Sequence, residues 1–119
     1  MLKDKTILIT GSSAGIGAAT ARLAKGYGAK VILHSREESE KLKALAKELS
    51  CEYIFCDVSD RESVFGAINK LKEKKIQIDC LANVAGVGDS GAAFMETTDE
   101  DWLNVFKINL LGTVHMCQA

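Results

Sequence analysis

Apolar positions along the chain follow two alternating rhythms. Short solid runs near Thr6–Thr10, Lys30–His34, Glu52–Cys56 and Ile78–Ala82 read as buried strands. Between them apolar residues recur every three or four positions, as in Ile16, Ala19, Leu23 and Tyr27, which predicts a helix from about Gly15 to Tyr27 with Gly28 as its left-handed stop. A second helix is expected from Ser35, where Ser35-Arg36-Glu37-Glu38 has capping-box form, with Leu42, Leu45, Ala46 and Leu49 inward. A third repeats the device with Ser59-Asp60-Arg61-Glu62 and turns Val64, Ile68 and Leu71 inward. Its basic end, Lys72-Glu73-Lys74-Lys75, complements the helix dipole and reads as a solvated terminus, not a nucleic-acid patch. Strand and helix in strict turn give successive βα units, hence an α/β protein with a doubly wound parallel sheet covered on both faces.

The rhythm changes after the fourth run. Gly86 to Thr97 is a loop rich in glycine and small residues, and loops at the C-terminal ends of parallel strands carry binding sites. Thr98 with Asp99, Glu100 and Asp101 then opens a last helix. Trp102, Val105 and Ile108 point differently from Leu103, Leu110 and Val114, so burial on both flanks is expected. Asn109 falls on one stripe with Trp102, Phe106, Thr113 and Met116, which predicts a buried amide in need of partners. The sequence stops within this helix, at Ala119.

Composition narrows the picture. The 119 residues make one domain, short for a complete doubly wound sheet, and 47% apolar content with 26% charged residues is globular material. A net charge of −1 gives no reason to expect nucleic acid or an anionic membrane as partner. Met1-Leu2-Lys3-Asp4-Lys5 leads into no long apolar segment, so neither a signal peptide nor a membrane span is read here, and a cytoplasmic location is expected. Cys51, Cys56, Cys80 and Cys117 lack paired spacing and read as small buried hydrophobes in a reducing compartment. His34 and His115 are isolated, and no cluster of metal-ligand type is present.

The chemistry concentrates at Thr10-Gly11-Ser12-Ser13-Ala14-Gly15-Ile16-Gly17, between the first strand and the first helix. A helix start there leaves backbone N–H groups free and aims them, with the positive end of the dipole, at an anion above the strand end. Gly11 suits the sharp exit from the strand, Gly15 the close approach of a pyrophosphate, and Gly17 tight helix–sheet packing. Walker-type binding is excluded, since no Gly-Lys-Ser/Thr closes the loop. At the end of the second strand, an acid would bond the ribose hydroxyls of NAD. Ser35 and Arg36 stand there instead; a hydroxyl and a guanidinium suit a ribose 2′-phosphate, so NADP(H) is favoured over NAD(H). Placed in a first helical turn, Arg36 would oppose the dipole, which also calls for another purpose.

The frame G-x-x-x-G-x-G preceded by threonine resembles the short-chain dehydrogenase/reductase family, and so do later segments. Asp57-Val58 is similar to the family's adenine-binding pair after the third strand. Leu81-Ala82-Asn83-Val84-Ala85-Gly86 is similar to its N-N-A-G motif, with Val84 in place of the second asparagine. Lys107-Ile108-Asn109-Leu110-Leu111-Gly112 is similar to its V-N-L-x-G segment. One departure is Ala14, where NADP-preferring members often carry a basic residue. The resemblance implies a Rossmann-type sheet of order 3-2-1-4, truncated after about four strands, so that residues 1–119 form a single NADP(H)-binding domain incomplete at its C-terminus. It implies a cofactor site of Gly11, Ser12, Ser13, Gly15, Ile16, Gly17, Ser35, Arg36, Asp57, Val58, Asn83, Ala85 and Gly86. Asn109 is implied as the catalytic-relay residue that holds a water.

The activity implied is hydride transfer between a nicotinamide and a carbonyl or alcohol, with a 3-oxoacyl thioester as the best substrate by resemblance alone. The family's serine and Y-x-x-x-K pair are not among these residues, and neither Tyr27 nor Tyr53 has a lysine four positions on. The chain is therefore expected to be the cofactor-binding half of such an enzyme and to need its catalytic residues from elsewhere. The rival is a non-catalytic nucleotide-binding or scaffold module. A bare last helix would favour a homo-oligomer in either case.

Overall fold

A computed structural model describes residues 1–119. Four parallel strands, β1 (Thr6–Ile9), β2 (Lys30–Ser35), β3 (Glu52–Phe55) and β4 (Cys80–Ala82), form one sheet of order β3-β2-β1-β4. Ile7 pairs with Val31 on one side and Cys80 on the other, and Ser35 pairs with Phe55. Helices α1 (Gly15–Gly26), α2 (Glu40–Leu49) and α3 (Arg61–Glu73) join the strands. A 3-10 turn at Phe94–Glu96 then leads into one rod made of α4 (Asp99–Phe106), a π-helical turn (Lys107–Leu111) and α5 (Gly112–Gln118).

Period-two alternation splits the strands between two cores. Ile7, Ile9, Val31 and Leu33 meet Ala18, Ala21 and Ala24 of α1 and Leu42, Leu45 and Ala46 of α2. Leu8, Ile32, Ile54 and Cys56 meet Val64, Ala67, Ile68 and Leu71 of α3, with Met116 of α5. The sheet is thus covered on both faces, as its apolar runs require.

The structure corrects several expectations. α1 does not bury its bulky stripe: Ile16, Ala19, Leu23 and Tyr27 are exposed, and Gly17, Ala18, Ala21 and Ala24 face the sheet. The reason is distance, because a Cβ on Gly17 would run into the Gly11 carbonyl oxygen and lie 2.7 Å from Ser12 Cα, so only small residues fit beneath the turn. α2 is capped by Ser39, whose hydroxyl accepts from the Leu42 N–H, and not by Ser35, which β2 keeps through its pairing with Phe55. Arg36 consequently lies outside the helix and does not oppose its dipole. α3 is capped by Asp60, while the Ser59 hydroxyl donates to Asp57.

The last rod is not buried on both flanks. Trp102, Leu103, Phe106, Leu110 and Val114 are exposed, and only Gly112 and Met116 are buried, because α3 and the segments after β3 and β4 cover just one side of it. Asn109 is likewise exposed, although its amide has partners. Of the four free cysteines only Cys56 is buried; Cys51 is half-buried, and Cys80 and Cys117 are exposed, since β4 has β1 as its single neighbour. No helix is long and apolar enough to cross a membrane.

Candidate nucleotide site

The C-terminal ends of the four strands bring the singled-out residues to one edge of the sheet. Thr10 leaves β1 buried, and its hydroxyl accepts from the Val84 and Ala85 N–H groups, both at 3.0 Å, which ties the glycine turn to the segment after β4. Gly11 has φ +60°, and a Cβ there would sit 2.7 Å from Ala85 Cα; the close approach of the two segments requires glycine. Ser12 is fully buried. Its N–H donates to the His34 carbonyl at 2.9 Å and its hydroxyl accepts from the His34 N–H at 2.8 Å. Ser12 therefore belongs to the frame of the turn and not to its open side.

That open side is formed by Ser13 to Gly17. Gly15 has φ +57°, and a Cβ placed on it would have no neighbour within 4 Å, so its backbone faces free space. Ala14 occupies the N-cap with no side-chain hydrogen bond, and the first turn of α1 carries no acid. By contrast α2, α3 and α4 are capped by Ser39, Asp60 and Thr98, the last in a reciprocal box with Asp101. Thus the one long helix whose first N–H groups lack a side-chain acceptor starts at the glycine turn, beneath open space. An anion fits that arrangement. Ile16 reaches outward beside it, 77% exposed.

Around the turn stand the ends of β2 and β3. The Ser35 hydroxyl donates to the Glu37 carbonyl, and the Arg36 guanidinium lies 3.7 Å from the Asp57 carboxylate. Hydrogen bonding from the Ser59 hydroxyl holds the Asp57 carboxyl below its ordinary range, with the Ser59 N–H and Arg36 adding to it against some desolvation. Asp57 is thus an anion fixed between a turn and a cation. Val58 is buried, and its side chain would be 2.7 Å from a Cβ on Gly112, so α5 passes close over the end of β3. Its carbonyl meets His115 Nδ1 at 2.7 Å.

After β4, Asn83 is exposed with its amide 3.6 Å from Cys117 Sγ, and Ala85 backs onto Gly11. Gly86 leaves room for Asn109, whose Oδ1 accepts from the Val87 N–H at 2.8 Å while its Nδ2 donates to the Val87 carbonyl at 2.9 Å. This two-point clasp takes up the Asn109 side chain. Its carbonyl, inside the π-helical turn, accepts from the Thr113 hydroxyl at 3.4 Å. A cavity of about 630 Å³ lies elsewhere, between α3, α5 and the outer edge of β4, and none of the sequence-predicted site residues lines it.

One residue with a part in the site was passed over in the sequence. His34 is buried beneath the turn: its Nδ1 accepts from the Gly11 N–H at 3.0 Å and its Nε2 meets the Cys56 carbonyl at 3.0 Å. Burial pushes its pKa below the ordinary imidazole value, against the hydrogen bond to Cys56. The available signal was a polar ring closing an otherwise apolar strand, since such a ring must find partners inside the fold.

Residues 5–119 match the short chain dehydrogenase family model, and the chain belongs to that family of oxidoreductases. It is 37% identical over 125 residues to the NADP-dependent 3-hydroxy acid dehydrogenase of Schizosaccharomyces pombe, covering 99% of this chain and 48% of that one. Among solved structures it is similar to a gluconate 5-dehydrogenase from Burkholderia cenocepacia in complex with NADP and tartrate, with TM-score 0.89 and 30% identity over 98% of this chain and 47% of that one. It is also similar to a 3-ketoacyl-(acyl-carrier-protein) reductase from Brucella melitensis complexed with NADH, with TM-score 0.90 and 26% identity over 99% of this chain and 49% of that one. The chain spans about half the length of the curated relatives it matches. The family binds nicotinamide dinucleotides.

Proposed function

We propose that residues 1–119 are the cofactor-binding part of an NADP(H)-dependent short-chain reductase that delivers hydride to a carbonyl, with a 3-oxoacyl thioester as the substrate class. The observation that carries this reading is the uncapped start of α1 above Gly15, with Arg36 standing at the neighbouring strand end. In it the free N–H groups of Ser13 to Gly17 hold the pyrophosphate, and Ser35 and Arg36 hold the 2′-phosphate. Asp57 and Val58 meet the adenine, and Asn83, Ala85 and Gly86 border the nicotinamide ribose. Ser12 and Gly11 serve by shaping the turn. The bound nicotinamide supplies the hydride.

Asn109 enters as the residue that fixes the loop after β4 through Val87 and leaves its carbonyl beside Thr113 for a relay water. A Ser and a Y-x-x-x-K pair, absent from these residues, would complete the proton transfer. The NADP named for the yeast and Burkholderia proteins supports the cofactor choice. Arg36→Ala tests it: NADPH binds the wild type more tightly than NADH, and the variant loses about 1.5–3 kcal/mol toward NADPH alone, the scale of a charge-assisted hydrogen bond. Equal affinities for both dinucleotides in the wild type, by fluorescence titration, refute the preference. The exposed face of Trp102, Phe106 and Leu110 suits a second copy, which sedimentation would show as a stable dimer.

A further inference from the structure

His34 joins three parts of the nucleotide edge. Its backbone exchanges hydrogen bonds with Ser12, the ring accepts from the Gly11 N–H, and the opposite ring nitrogen faces the Cys56 carbonyl, one residue before Asp57. The protonation state follows from those partners. A backbone N–H can only donate, so Nδ1 must be bare; a carbonyl can only accept, so Nε2 must carry the proton. One neutral tautomer satisfies both contacts, and the doubly protonated ring satisfies only one.

We propose that neutral His34 is a positioning residue for the phosphate turn, and that a second proton on its ring releases Gly11 and weakens the grip on a dinucleotide's pyrophosphate. Gly11 has no slack of its own, since it is wedged against Ala85 and lies beneath Gly17. A proton on Nδ1 opposes the Gly11 N–H, and the turn relieves that clash by moving toward the open side, where the first N–H groups of α1 are aimed. The grip then loosens although no ligand-facing residue has changed. This inference rests on the dinucleotide reading above and concerns what holds that site in shape.

The surrounding titratable groups do not account for the same behaviour. Cys56 on β3 has its thiol pushed up to about 11 by burial and stays neutral. Asp57 is engaged by Ser59 and Arg36, and His115 of α5 faces the Val58 carbonyl. None of them forms a hydrogen bond or ion pair with the imidazole.

The test measures NAD⁺ affinity by calorimetry between pH 7.5 and 5, because NAD⁺ lacks the 2′-phosphate whose own titration would mask the effect. The wild type is expected to weaken about five- to tenfold as the pH falls, the scale of one hydrogen bond in the turn. His34→Asn, whose Oδ1 offers an acceptor at the place of Nδ1 but does not titrate, should show the same affinity at pH 5 as at pH 7.5. His34→Val should be weaker at every pH, and His115→Gln should keep the wild-type profile. A wild-type profile retained in His34→Asn overturns the proposal. So does a Gly11 amide resonance, in the ligand-free protein, that stays fixed while the His34 ring titrates. If NAD⁺ binds at no pH, the dinucleotide reading falls and takes the affinity claim with it, whereas the Gly11 resonance still decides whether the clasp exists.

Discussion

Adding one methyl group at Gly17 should destabilise the fold, although the same change elsewhere in a helix stabilises it. In a helix, glycine to alanine gains about 1 kcal/mol from reduced backbone entropy in the unfolded chain. At Gly17 the new Cβ meets the Gly11 carbonyl oxygen and lies 2.7 Å from Ser12 Cα and 2.8 Å from the Gly11 carbonyl carbon. All three are backbone atoms, and that backbone is held by Thr10, Ser12 and His34. Overpacking costs about 1–3 kcal/mol, and each tie that breaks to relieve it costs about 1 kcal/mol more. The balance is a loss of about 2–3 kcal/mol, or about 8–12 °C in melting temperature at roughly 4 °C per kcal/mol.

Gly66 provides the comparison within the same chain. It lies exposed inside α3 with nothing within 4 Å of the new atom, so Gly66→Ala should raise the melting temperature by about 2–4 °C. Circular dichroism melts of the two variants beside the wild type are sufficient. A Gly17→Ala protein that melts at or above the wild type would refute the packing of α1 against the turn.

Other outcomes follow from single contacts. Asn109→Ala removes both bonds to Val87 and should cost about 1–2 kcal/mol, with faster amide exchange in Gly86 to Thr97 while the sheet stays protected; unchanged exchange there would contradict the clasp. Iodoacetamide should label Cys80 and Cys117 in the native protein and reach Cys56 only on unfolding, since that thiol is buried and pushed up to about 11; peptide mapping reads the order. Folded His34 resists its second proton, whereas in the unfolded chain the imidazole titrates at about 6.5. Acid therefore favours the unfolded chain: the His34 contribution is intact above about pH 6.5 and declines as the pH falls below it, which urea midpoints at pH 7.5 and 5.5 would detect and His34→Asn would reduce.

The strand positions were legible because a parallel strand covered on its faces needs an apolar run, and this chain has four of them, whereas the sheet order followed only from the family resemblance. The cap of α2 was misread for a local reason. Ser35 has an acid three residues on and Ser39 does not, yet pairing with Phe55 holds Ser35 in β2 and leaves the cap to Ser39. In α1 periodicity followed the bulky residues, while the contact is made by Gly17, Ala18, Ala21 and Ala24, which a hydrophobic count hardly weighs. The edge proposed as the site was legible from its glycines and the motifs at each strand end. That His34 shapes it was not, because its partners are backbone groups 22 and 23 residues away and leave no side-chain signature.

Neighbouring residues on a strand face opposite ways, and here that separates two tasks that adjoin in the sequence. The His34 ring braces Gly11, whereas Ser35, the next residue on β2, turns its hydroxyl to the Glu37 carbonyl, and Arg36, past the strand end, reaches Asp57. On the proposed reading, exchanging Ser35-Arg36 for an acidic pair would redirect coenzyme choice without slackening the bend. Discrimination and grip can drift apart over generations, each rewritten while the other stands.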